Sequence, residues 1–495
     1  MTAAPFSRVE RWLVAILIAA VAVRVATLGL YPVLDNTEAR YAEIARKMLE
    51  TGDWVTPQIR YGVPFWGKPP LSTWLAAASF LALGVGEFAA RFASLLPSIG
   101  VAWLTWTMAA RRGGRVLALK ATVVLATTPL FFVSAGAVMT DPALVLGTTL
   151  SMAGFWQAMT RPGRDGRLWG WLFFVGLAIG LLAKGPVGVV LTMAPIGVWT
   201  LWKGGIANVW RRLPWIAGTL LTVALALPWY LAAEARTPGY LDYFIVGEHW
   251  KRYTQAGWDG DLYGTAHLRP RGMIWLFAIA AMLPWSAVWI GQLWQLRQLR
   301  RAPAPPPAEP ADGWREYLWL WLLASPAFFT PARNILVTYV LPAMPAFALL
   351  VAAAWTAVGD EGRRNALTRH WGFLMPVLMA GGVLFALPGL APRFSHQALV
   401  AEYLARRGSP QEALVYLGPP PASAEFYARG RIVTAGTEAL LAPYLQDGRR
   451  DFFVLTDDEL AALPQYRDRL VPLARSGRWQ LLQEAADAVP AAAKP

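Results

Sequence analysis

Two carboxylates, Asp35 and Glu38, stand beside Arg40 in a segment that follows the first hydrophobic stretch and holds ten charged side chains between Leu34 and Lys68. The rest of the first 390 residues is largely apolar. Charge at a bilayer boundary is costly unless satisfied, so this concentration points to a polar reaction site at a membrane surface. An ionised Asp35 could take a proton from an attacking hydroxyl. It also stands just before a helix N-terminus, where it could serve only as a cap. In Phe65-Trp66-Gly67-Lys68-Pro69-Pro70 the prolines stiffen the backbone and Trp66 suits an interface. Lys68 is then held near headgroup depth, to meet a lipid phosphate or simply to snorkel.

Other polar groups interrupt the apolar sequence further on. Asp141, in Met139-Thr140-Asp141-Pro142, can open a helix whose first residue is Pro142. Lys184 lies between two apolar runs, a placement that suggests function in a membrane protein. The loop 247–275 carries Glu248, His249, Lys251, Arg252, His267, Arg269 and Arg271. Glu248 and His249 are adjacent and point in different directions, so no metal site is assigned, although a divalent metal stays open. Arg333 adds a basic group shortly before Tyr339. There is no cysteine, which removes disulfides, thiolate metal sites and cysteine nucleophiles. No P-loop, GxSxG, HExxH or GxGxxG in a suitable context occurs, which argues against ATP-driven transport, serine hydrolysis and zinc proteolysis.

The elements that must position these groups are mostly membrane spans. Of 495 residues, 56% are hydrophobic and 15% charged. Candidate spans are 11–31, 89–110, 116–136, 142–160, 168–183, 185–203, 213–233, 273–295, 315–330, 336–357 and 370–390, giving an all-α polytopic bundle of about 11–13 helices. The run after Arg8 and Arg11 is too long for a signal-peptide core and reads as a retained first span. The net charge of +14 comes largely from short basic loops between spans. That is the positive-inside pattern rather than a nucleic-acid surface. Placing Arg111–Arg115, Arg161–Arg167, Lys203–Arg212 and Arg297–Arg301 in the cytoplasm puts loop 32–70, Asp141, Lys184, loop 234–272 and Arg333 together on the outer face. Pro70–Gly86 is short and reads as an interfacial or re-entrant helix. The run 302–311 is a proline-rich linker. Residues 1–390 form the membrane domain. Residues 391–495 form a small α/β domain on the outer side, with strands in EALVYLG, RIVTAG and FFVLTDD. Helix 37–51 should carry one apolar stripe, Tyr41, Ile44, Ala45, Met48 and Leu49, with Arg40, Glu43, Lys47 and Glu50 on other faces.

LDNTEARYAEIARKMLETGDWVTP, FWGKPPL, EFAAR, MTDPAL, AKG and TYVLP occur in an order that resembles the lipid A aminoarabinose transferase group. That group falls within the GT-C membrane glycosyltransferases, with the protein O-mannosyltransferases. The resemblance runs from about residue 30 to 390. It implies inverting transfer of a sugar from a polyprenyl-phosphate donor to lipid A or another glycan or protein acceptor. The reaction would occur on the periplasmic face of the bacterial inner membrane. Family members read D-E-x-R-Y-A in the first loop. This chain has Thr37 where that aspartate falls, Asp35 two residues earlier and Glu38 matching the glutamate. Asp35 is the expected base and Glu38 its reserve. A lipid A phosphate, already ionised, would need none. The family's E-K-P-P is Gly67-Lys68-Pro69-Pro70 here, so Lys68 maps onto the carrier-phosphate lysine and a metal in that loop loses its glutamate. Lys184, Arg40, Arg252 and Arg333 are expected to join Lys68 on the phosphate. Tyr41, Asp141, His249, His267 and Tyr339 are expected on substrate. A lipid-linked-sugar flippase is the competing class, and it would call for inverted repeats that the sequence does not display.

Overall fold

The computed structural model describes residues 6–35, 37–264, 267–299, 312–358, 363–437, 441–445, 447 and 449–485; the side chains of 299 and 363–369 are not described. The proline-rich run 302–311 lies outside the described residues. Among those described, six helices are long and apolar enough to cross a membrane. The pair Met273–Ala281 and Trp285–Gln298, bent by 88°, makes a possible seventh span. The protein is a multi-span membrane protein.

The eleven expected spans all have helical counterparts, but several are too short or too polar to stand alone as spans. Arg8–Thr27 carries Arg24, and Trp314–Phe329 has 16 residues. Asp141–Thr160 is rich in Gly, Ser and Thr and is packed nearly all round. Its glycines let it lie backbone to backbone on Gly163–Lys184. A Cβ on Gly147 would stand 2.6 Å from the Gly180 nitrogen, and one on Gly154 2.7 Å from that of Phe173. Such close approach gives membrane helices packing that hydrophobicity alone does not.

Glu87–Ala126 holds two expected spans, with non-helical backbone at Gly113 and Gly114 between them. Arg91 and the Val138 N–H both meet Glu38. Between them, Arg112 pairs with Asp312 and Arg115 with Glu10, at the other end of the bundle. The chain therefore travels away from Glu38 and returns. Lys203–Glu316, at 3.1 Å, joins the same far end, which collects the basic loops. The near end collects the first loop, Asp141, Lys184 and loop 234–272.

The first loop builds helix Thr37–Thr51, a hairpin of β1 (Gln58–Arg60) and β2 (Val63–Pro64), and helix Leu71–Leu83. The 13 residues of the last are too few to span. It starts beside Lys68 and leads back to Arg91 at the same end, as the interfacial reading expects.

The tail forms a five-stranded sheet in the order β4-β3-β5-β7-β6. Its strands are β3 (Leu414–Leu417), β4 (Val433–Ala435), β5 (Phe452–Thr456), β6 (Leu470–Ser476) and β7 (Trp479–Glu484). The three expected strands are the parallel ones, and β7 adds antiparallel to β5. β3 and β5 are apolar on both faces because both are covered. Leu414, Tyr416, Phe452 and Val454 pack one way, and Val415, Phe453 and Leu455 the other.

Candidate functional site

Five separate segments bring charge to one place at the near end of the bundle. Lys68 extends from the proline-stiffened turn, and its ammonium lies 3.0 Å from Glu248 on the helical segment Asp242–Lys251. Arg252, one turn further, donates to both Glu248 oxygens at 2.9 Å and lies 3.4 Å from Asp261. Lys184 ends its helix and pairs with Asp141 at 2.6 Å. Its ammonium also lies 4.9 Å from the centre of the Tyr339 ring. His249 lies between the two groups, with Nδ1 2.8 Å from the Phe244 carbonyl and Nε2 3.2 Å from that of Lys184. Gly185 makes this junction feasible. Its φ is +90°, and a Cβ there would stand 2.7 Å from the Phe244 ring.

The two signs of charge are not equally accessible. The side chains of Lys68, Lys184 and Arg252 are 21%, 13% and 22% exposed, whereas Glu248 and Asp261 are 3% and 4% exposed and Asp141 11%. Glu248 and Asp261 thus lie beneath Lys68 and Arg252, while Lys184 and Asp141 are about equally covered. Burial works against ionised Glu248, but Lys68 and Arg252 outweigh it and hold the carboxyl below its usual range. Burial likewise works against charged Arg252, and Glu248 reverses the effect. Burial, assisted by Lys68, lowers His249 and favours neutral imidazole. Tyr41 is pushed up to about 12, chiefly by burial. Its phenol lies within range of the charges on Lys184, Asp141 and Glu248. Pre-held, partly exposed cations are suited to a phosphate that gains charge during reaction.

Asp35 and Glu38 have a different setting. The Asp35 carboxylate accepts the Ser423 N–H at 2.9 Å and the Ser423 hydroxyl at 2.5 Å, and its own N–H donates to the Phe394 carbonyl at 2.7 Å. Burial raises its pKa, and Ser423 opposes that. Glu38 accepts from Arg91 Nε at 3.1 Å and Nη2 at 2.9 Å. It also accepts the Leu34 and Val138 N–H groups at 3.2 and 3.1 Å. Arg91 is fully buried and also donates to the carbonyls of Leu28, Tyr31 and Pro32, each at 2.8 Å. Lys47 pairs with Glu425 at 2.5 Å, and the Tyr427 hydroxyl donates to Glu87 at 2.8 Å. These contacts fasten the first loop to the bundle and to the tail.

Seven expected residues meet: Tyr41, Lys68, Asp141, Lys184, His249, Arg252 and Tyr339. Asp35 and Glu38 make their described contacts elsewhere, because burial under the tail and beside Arg91 uses their oxygens. Arg333 is exposed and its Nε donates to the Arg269 carbonyl at 3.4 Å, while exposed His267 is tied through its N–H to Asn334 at 3.1 Å. Arg40 is half-buried, and its charge acts on Asp35 and Tyr41. The charged face of helix 37–51 is buried rather than solvated: Glu43, Arg46 and Lys47 are 2%, 5% and 1% exposed.

Sequence reading passed over Glu248 as the partner of both Lys68 and Arg252. The four-residue spacing from Glu248 to Arg252 was the available signal. Asp261, Arg91 and Ser423 were missed, and nothing local to them announces their partners. Among the described residues no three of His, Asp and Glu gather to ligate a metal. Glu248 and Asp261 are instead both held by Arg252.

The described family model that matches, over residues 9–244, is dolichyl-phosphate-mannose-protein mannosyltransferase. The chain is 31% identical over 363 residues to the undecaprenyl phosphate-alpha-4-amino-4-deoxy-L-arabinose arabinosyl transferase of Pseudomonas aeruginosa strain UCBPP-PA14, covering 72% of this chain and 60% of that protein. It is 28% identical to the protein of that name from Shewanella sediminis, covering 66% and 56%. The chain therefore spans less than two thirds of the length of these relatives. The crystal structure of ArnT from Cupriavidus metallidurans bound to undecaprenyl phosphate superposes with a TM-score of 0.77 at 20% identity, over 97% of this chain and 99% of that one. Its apo form gives 0.75. The fold is therefore GT-C, with a small C-terminal sheet domain, and the resemblance read from the motifs is borne out.

Proposed function

Taking as premise that this chain is of the GT-C lipid A aminoarabinose transferase group, related to the protein O-mannosyltransferases, we propose that it is an inverting glycosyltransferase. It transfers a sugar from a polyprenyl-phosphate donor to lipid A at the periplasmic face of the inner membrane. The relatives named above carry undecaprenyl phosphate and aminoarabinose in their names, which makes an undecaprenyl-phosphate pentosamine the first donor to test.

In this reading the donor phosphate lies against Lys68, Lys184 and Arg252. The acceptor oxygen attacks the anomeric carbon as the bond from that carbon to the phosphate oxygen breaks. The electron pair leaves with the polyprenyl phosphate, which gains negative charge facing the three cations. Their stabilisation of that charge is the catalytic contribution, and loss of one such group typically costs about 10²–10³ in rate. Glu248 and Asp141 hold the cations in place. Neutral His249, lying between the Phe244 and Lys184 carbonyls, can donate to one of them and adds no charge. A lipid A phosphate is already ionised and needs no base. This agrees with a first loop in which the Asp35 and Glu38 oxygens are occupied by Ser423 and Arg91.

The observation that carries the reading is the convergence of three partly exposed cations, from three distant segments, over buried carboxylates. The test is transfer in proteoliposomes containing the purified protein, undecaprenyl-phosphate aminoarabinose and lipid A, followed by mass spectrometry. Lipid A should gain one pentosamine. The matched family model names a protein acceptor, so a serine-containing peptide is the control acceptor. Glycosylation of the peptide and not of lipid A would overturn the acceptor assignment. No transfer to either would overturn the donor assignment.

A further inference from the structure

At the opposite end of the bundle from the charged site, helices Trp285–Leu299, Trp314–Phe329 and Met344–Val358 enclose a cavity of about 270 Å³. Its walls are apolar, including Leu293, Leu318, Leu349 and Ala353. Trp289 and Trp319 also line it, with ring centres 5.1 Å apart. Two of its lining residues are cationic, Arg112 and Arg315. Arg112 already pairs with Asp312 and lies over the Trp314 ring at 5.8 Å. Arg315 is exposed and, among the described residues, makes no ion pair. The nearby Glu316 is taken by Lys203 at 3.1 Å. The mouth thus keeps, in Arg315, an exposed arginine with no ion pair among the described residues beside an apolar, tryptophan-lined crevice.

This combination fits one chemical class. An acyl chain suits the walls, and a phosphate without a cationic substituent suits the arginines. Basic pockets between membrane helices on the cytoplasmic side are a recurring form of anionic lipid site. We infer that this crevice holds one anionic phospholipid of the cytoplasmic leaflet, with an acyl chain between the three helices and the phosphate at Arg112 and Arg315. A zwitterionic headgroup is disfavoured because its own cation would approach Arg315, while the carboxylates near the mouth among the described residues, Asp312 and Glu316, are engaged by Arg112 and Lys203. The site is separate from Lys68 and its neighbours, and its test does not depend on sugar transfer.

The full-length protein is purified from nanodiscs of dioleoylphosphatidylglycerol or of dioleoylphosphatidylcholine, and retained lipid is counted by native mass spectrometry. The protein should retain one phosphatidylglycerol and no phosphatidylcholine. R315Q should weaken retention about fivefold, the weight of one basic residue near an anionic headgroup. A353F, which fills the crevice and leaves both arginines in place, should weaken it at least tenfold. Arg315 is exposed, so its variant keeps the test alive if A353F fails to fold. Equal retention of the two lipids would overturn the proposal, as would undiminished retention by R315Q.

Discussion

The end of the bundle that carries the first loop contains two sets of ion pairs, and they differ in which charge reaches the surface. In one, Arg91 is fully buried against Glu38, whose side chain is 13% exposed, and Glu43, Arg46 and Lys47 are buried as well. In the other, the carboxylates Glu248 and Asp261 are buried while Lys68 and Arg252 remain about one fifth exposed. Removing one partner from a closed pair leaves an uncompensated charge in a poorly solvated place, so the effect falls on folding. Under the proposed function, removing a cation from the open set weakens the hold on the donor phosphate, so the effect should fall on transfer. Counting ion pairs would not separate the two sets, whereas the exposure of each partner does.

The strongest challenge to this contrast is Glu38→Gln. It strands Arg91, and stability should fall by about 3–5 kcal/mol. A thermal-unfolding curve in detergent should show a large loss, with the transfer rate per folded molecule little changed. Unchanged stability with abolished transfer would return Glu38 to the reaction. The complementary variant, Lys68→Ala, should lower transfer by about 10²–10³ while unfolding moves little. Lys68→Arg tests geometry at constant charge and should recover part of the rate. Ser423→Ala removes one charge-assisted hydrogen bond from Asp35 and should cost about 1.5–3 kcal/mol. Its effect on kcat should be smaller than its effect on the unfolding temperature.

The smallest expected effect is on pH dependence. Glu248 is held below the ordinary carboxylate value, so its ionised form contributes stability above the unfolded pKa of about 4.3. That contribution disappears as pH falls through the lower folded value. The stability advantage of the wild type over Glu248→Gln should therefore be constant from pH 8 to 5 and shrink below pH 4. An advantage that instead fades between pH 7 and 5 would mean that Glu248 is not held ionised by Lys68 and Arg252.

Much of this was legible in the sequence where a local pattern carried it. Apolar run lengths located the spans, basic loops assigned the ends, and the parallel strands stood out because both of their faces are covered. β6 and β7 did not. Pro472 and Arg475 break the alternation of β6, which lies at the sheet edge with Val471, Pro472 and Arg475 exposed. Lys68, like Asp141 and Lys184, was recognisable because charge is rare in apolar surroundings, whereas Asp261 was not. What the sequence could not give was their pairing. Glu248 reaches a lysine 180 residues away, and Asp35 meets a serine 388 residues away. Such partners are chosen by packing rather than by spacing. The acidic first loop therefore looked catalytic, and only the placement of the tail revealed where its oxygens are directed.

The most direct test of the account compares undecaprenyl phosphate binding by the wild type, Lys68→Ala and Asp35→Asn, in the same lipid and at the same salt concentration. Lys68→Ala should bind at least tenfold more weakly, and Asp35→Asn should bind like the wild type. Wild-type binding by Lys68→Ala together with lost binding by Asp35→Asn would contradict it.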